Sequence, residues 1–117
     1  MEIKIVNILG TEYTIEFGTY KDFPALNEID GYTDTSSKQI IVDDMSFAEG
    51  NVDSKKDLKS YQKSVIRHEV IHAFLYESGL AENSIENKSW AVNEEMIDWF
   101  AIQSPKIFNV FQELGVI

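Results

Sequence analysis

Apolar and polar residues change rhythm near the middle of this chain. From Glu2 to Leu9, Ile and Val dominate an imperfect alternation. Gly10-Thr11 breaks it, and Tyr13 to Phe17 sets Tyr, Ile and Phe against polar neighbours. Two period-two runs around a turn predict a β-hairpin or two neighbouring strands. Lys21 to Ile29 reads as a short helix, with Asp22 as N-cap and Pro24 in its first turn. Asp30-Gly31 signals a turn and Thr33 to Ser37 a polar loop. Gln39 to Val42 is a short β-branched strand, and Met45 to Asp53 reads as loop. The period then lengthens. Leu58, Tyr61, Val65, Ile66, Val70, Ala73 and Phe74 recur at helical spacing, predicting a helix from Asp53 or Ser54 to about Ser78, stopped by Gly79. Ala81 to Ser89 reads as a polar linker. A second helix is expected over Lys88 to Gln103, ended by Ser104-Pro105, and a last short one from Pro105 to about Leu114. Strands followed by helices predict an α+β domain: a small, mostly antiparallel N-terminal sheet, then a helical half.

Length and composition narrow the function classes. At 117 residues, one domain spanning 1–117 is expected. Twenty acidic residues against ten basic ones give a formal charge of −10. That disfavours sequence-independent nucleic-acid binding and docking on anionic lipid, both of which need a positive surface. With no cysteine, disulfides, thiol catalysis, Cys-type zinc sites and iron–sulfur clusters are excluded. The first residues carry neither a signal-peptide pattern nor a membrane-anchor pattern, so a cytoplasmic protein is expected.

Both histidines of the chain fall in His68-Glu69-Val70-Ile71-His72. This is H-E-x-x-H, inside the strongest helical pattern. Side chains at i and i+4 lie one turn apart on one face, so the two imidazoles can reach one zinc ion. Glu69 flanks that position and can take a proton from a metal-bound water. Zinc hydrolases usually use three protein ligands and leave the fourth position open. With no third histidine and no cysteine, the third ligand must be a carboxylate. Glu94, Glu95 and Asp98 are the nearest candidates, with Asp43, Asp44 and Glu49 behind them. Glu94 and Asp98 share a helix face, whereas Glu95 points about 100° away. Asp98 lies between Ile97 and Trp99, where a carboxylate is costly without a partner. The ring N–H of a zinc-bound histidine would supply one.

His68, Glu69 and His72 on one helix, with Asn93, Glu94 and Asp98 on the next, resemble the H-E-x-x-H … N-E-x-x-x-D pattern of the gluzincin metallopeptidases. The resemblance implies Glu94 as third zinc ligand, Asp98 as support for His68, and Glu69 as catalytic base. In size and layout the helical half, about residues 60–105, is also similar to small ImmA/IrrE-type peptidases and phage-encoded zincins. The chain is far shorter than a full gluzincin protease, and the N-terminal strands match no motif of the family.

A zinc peptidase with one zinc per chain, acting on a peptide or protein substrate, is therefore the leading expectation. The alternative is a zinc-stabilised binding or regulatory module without turnover. Oligomeric state is left open. Tyr76, one turn beyond His72, could donate to an oxyanion, as could Tyr20 or Tyr32. Lys38 to Asp43 could be an edge strand that receives an extended peptide, or a core strand. Trp90, Trp99, Phe100 and Phe111 are expected in the core.

Overall fold

The computed structural model describes residues 3–47, 57–81 and 90–117. The first hairpin joins β1 (Lys4–Ile8) and β2 (Thr11–Gly18) through Leu9-Gly10, both at positive φ, 52° and 92°. Positive φ at both central positions matches the right-handed twist of the strands, and glycine takes the second without strain. The turn is closed by Asn7, whose Oδ1 accepts from the Gly10 N–H at 2.8 Å.

β3 (Gly31–Asp34) and β4 (Gln39–Asp43) complete a four-stranded sheet of order β1-β2-β4-β3. The outer pairings are antiparallel and β2 and β4 run parallel, so the sheet is mixed, with two of its three pairings antiparallel. Two expectations change. The stretch Thr33 to Ser37 is not all loop, because Thr33 and Asp34 belong to β3. Lys38 to Asp43 is not an edge, because β4 is bonded on both sides; the edge beside it is β3. Between Lys21 and Ile29 the chain forms one 3₁₀ turn, Pro24–Asn27, preceded by Phe23 rather than capped by Asp22.

Register places Tyr13, Ile15, Ile40 and Val42 on one face, where they form the core with Val65 and Ala73 of α1 (Leu58–Glu77). Gly31 on β3 faces the same helix. A Cβ there would stand 2.9 Å from Val65 Cγ1 and 3.1 Å from the Ile41 carbonyl oxygen, so only glycine lets β3 approach this closely. The N-cap of α1 is Asp57, which accepts from the Ser60 N–H at 3.0 Å. The caps expected at Asp53 or Ser54 lie outside the described residues, as do Glu49 and most of the Ala81–Ser89 linker. The helix ends at Ser78-Gly79 as expected, Gly79 having φ 84°.

The second helix, α2 (Glu94–Glu113), packs on α1 through Ile97, Ala101 and Ser104. It follows a 3₁₀ turn over Trp90–Val92, so the described chain becomes α-helical at Glu94 rather than near Lys88. It also runs through Pro105 instead of stopping there, and the separate helix expected from Pro105 is its continuation. Pro105 has no N–H to give the Ala101 carbonyl one turn back. Arg67 of α1 makes up the loss: its Nε–H donates to that oxygen at 2.5 Å. Because only one stripe of α2 meets α1, Trp99, Phe100 and Phe111 are 58%, 42% and 39% exposed, not core residues as expected. The Trp90 side chain lies outside the described set. Among the described residues, no helix is long and apolar enough to cross a membrane.

Candidate metal centre

The site forms where α1 and the start of α2 meet under β3. His68 and His72 are one turn apart on α1, and their Nε2 atoms stand 3.1 Å from each other. Glu94 enters from the first turn of α2. Asn93 fixes that start, since its Oδ1 accepts from the Met96 N–H at 2.8 Å. A carboxylate in the first turn also suits the positive end of the helix. Glu94 reaches both imidazoles, with Oε2 at 3.2 Å from His68 Nε2 and Oε1 at 2.8 Å from His72 Nε2.

On its far side, His68 Nδ1 lies 2.8 Å from Asp98 Oδ1. If the Nδ1–H of His68 donates to Asp98, the Nε2 lone pair is left to face a cation shared with Glu94. The donor set also has the right dimensions. Donors held 2.0–2.1 Å from one tetrahedral zinc stand about 3.3 Å apart. The two Nε2 atoms are 3.1 Å apart, Glu94 sets one carboxylate oxygen 3.2 Å from His68 and the other 2.8 Å from His72, and one donor atom from each residue lies within 4.8 Å of the other two. Two imidazoles and one carboxylate suit zinc, and the residues present fit the ion.

Glu69 points to the same place from beneath. Its Oε2 is 3.9 Å from His68 Nε2, and its Oε1 is 2.8 Å from the Thr33 hydroxyl, which also lies 3.0 Å from the Glu69 carbonyl oxygen. The side chain is buried, and burial pushes its carboxyl above the usual range; the Thr33 hydrogen bond and the two imidazoles oppose the rise. Among the expected site residues, His68, Glu69, His72, Glu94 and Asp98 are brought together. Glu95 is exposed and outside the cluster. Asp43 and Asp44 instead accept from the N–H groups of Met45 and Ser46, each at 2.9 Å.

Two hollows flank the donors. One, of about 600 Å³ on the His68 side, is lined by Asp30, Tyr61, Asp98 and Ile102. The other, of about 400 Å³ on the His72 side, is lined by Tyr32, Thr33, Tyr76 and Val92. Tyr76 thus opens beside His72, with Lys38 Nζ over its ring at 4.9 Å. Tyr20 lines neither hollow and packs against Phe47, ring centroids 5.1 Å apart. Sequence reasoning missed Thr33 and Tyr61 as site residues. Tyr61 belongs to the apolar stripe of α1 by its spacing, yet its hydroxyl donates to Asp30 at the hollow's wall. Comparison with protein-family models, curated proteins and solved structures finds no match to this chain.

Proposed function

We propose that this chain is a minimal gluzincin-like zinc peptidase. His68, His72 and Glu94 would hold one zinc ion, and Glu69 would act as general base. The observation that carries the reading is the convergence of three donor atoms on one point, with a buried, oriented carboxylate beside them. Bound zinc would acidify a water toward pKa about 7 and polarise a substrate carbonyl. The chain's own residues supply the rest. Thr33 occupies Oε1 of Glu69 and leaves Oε2 turned toward the donors, where it can take a proton from water and return it to the leaving nitrogen. Asp98 holds the ring angle and tautomer of His68. β3, the sheet edge from which Thr33 projects, offers backbone N–H and C=O groups to an extended peptide beside the site.

The test is release of new amino termini from unfolded casein by the zinc-loaded chain, with and without a chelator. Release that stops on chelation is expected. Stoichiometric zinc binding with no release would leave a zinc-stabilised binding module in place of the enzyme. No zinc binding would remove both readings.

A further inference from the structure

Away from the metal centre, α2 carries a second apolar face. Met96, Phe100, Ile107, Phe111 and Leu114 recur at helical spacing, about 80° around the helix from the Ile97–Ala101–Ser104 stripe that packs on α1. In this stripe Met96 and Ile107 are half-buried, while Phe100, Phe111 and Leu114 are exposed. The stripe borders an apolar groove of about 570 Å³ between the two helices, whose rim includes Leu9, Phe74 and Phe108. Leu9, Phe74, Phe100, Phe108, Phe111 and Leu114 are between 39% and 69% exposed. A contiguous exposed apolar patch of this size marks an interaction surface.

We infer that the second face is covered by another copy of this chain, α2 packing against α2 of the partner across a two-fold axis. Area decides for this occupant. Phe100, Phe111 and Leu114 of the stripe, with Leu9, Phe74 and Phe108 at the groove's rim, are about half exposed and together present roughly 600 Å² of apolar surface, at side-chain areas of about 200 Å² each. A standard interface buries about 800 Å² per partner, somewhat more than half of it apolar. One patch therefore meets the need of one side. A stripe along a single helix is also self-complementary under a two-fold rotation, each apolar residue meeting another. The chain's charge of −10 does not oppose contact at the centre of the patch. The charged residue lining the groove is Arg67, whose Nε–H is turned to the Ala101 carbonyl. Glu94 and Asp98 lie about 150° around α2 from the stripe, so the pairing leaves the metal centre open.

Sedimentation equilibrium of the full chain at micromolar concentration is the test, and it does not depend on metal or activity. The expected mass is twice 13.4 kDa. Phe111→Glu and Leu114→Glu, at positions 39% and 69% exposed, should each raise the dimer dissociation constant about thirtyfold or more. Circular dichroism should show their helix content unchanged. A parent chain that stays monomeric overturns the inference, as would a dimer that both variants leave intact. A monomer that instead co-sediments with phosphatidylcholine vesicles would give the face to a membrane and overturn it too.

Discussion

Glu94 and Asp98 sit on different sides of the histidines, one facing both Nε2 atoms and the other the Nδ1 of His68. Zinc titration of single variants should separate them. Glu94→Ala should lose the most affinity and Glu95→Ala little. Asp98→Asn should fall between, about 10–100-fold, since it acts on ring orientation. A largest loss at Glu95 would contradict the assignment. Thr33 acts one step further from the donors. Thr33→Val removes a hydrogen bond to a carboxylate, worth about 1.5–3 kcal/mol, so kcat should drop roughly ten- to hundredfold. Zinc affinity should hold, and Thr33→Ser should restore most of the rate; unchanged kcat in Thr33→Val would release Thr33 from this role. The clustering of His68, Glu69, His72, Glu94 and Asp98 was legible in the sequence because i, i+4 spacing on a helix dictates shared faces. Thr33 was not legible. It lies 36 residues before Glu69, and only the pairing of β3 against β4 brings it over α1.

Elements were legible where one face is apolar and the other polar, as in β2 and α1. β3 was missed because its inward residues are Gly31 and Thr33, pressed against a helix that tolerates nothing larger at Gly31, so no apolar alternation marks it. Pro105 was read as a stop because the compensation comes from another helix. That compensation makes a prediction. Arg67→Ala leaves the buried Ala101 carbonyl without its donor and should cost about 1–3 kcal/mol in denaturant unfolding. Pro105→Ala restores an N–H one turn on and should recover most of that loss in the double variant. Additive effects of the two substitutions would show that Arg67 stabilises α2 by some other route. The exposed aromatics of α2 were misplaced for a related reason. Periodicity shows that a helix has apolar faces but not how many of them its own chain covers.

At the scale of the whole molecule, a network joins the end of α1 to the sheet. Glu77 accepts from Tyr13 Oη at 2.6 Å, from Lys38 Nζ at 2.8 Å and from Thr11 Oγ1 at 3.1 Å. The Lys38 hydrogen bond, then that of Tyr13, holds the Glu77 carboxyl below its ordinary value of 4.5. A carboxyl lowered by folding adds stability that is complete above its unfolded pKa and is lost as pH falls through the folded one. The gap in melting temperature between the parent and Glu77→Gln should therefore be constant above pH 4.5 and close below it. A gap independent of pH would mean that the ionised form of Glu77 is not what the network stabilises. The proposed function asks the fold to hold one carboxylate, Glu69, beside one metal ion. The most direct measurement compares the parent with Glu69→Gln, each loaded with one equivalent of zinc, in the release of new amino termini from unfolded casein. The amide fills the same space but cannot take a proton from water at neutral pH. Both chains should keep their zinc, and release should fall at least about a hundredfold in Glu69→Gln. Release at the parent rate with zinc retained would contradict the proposed function.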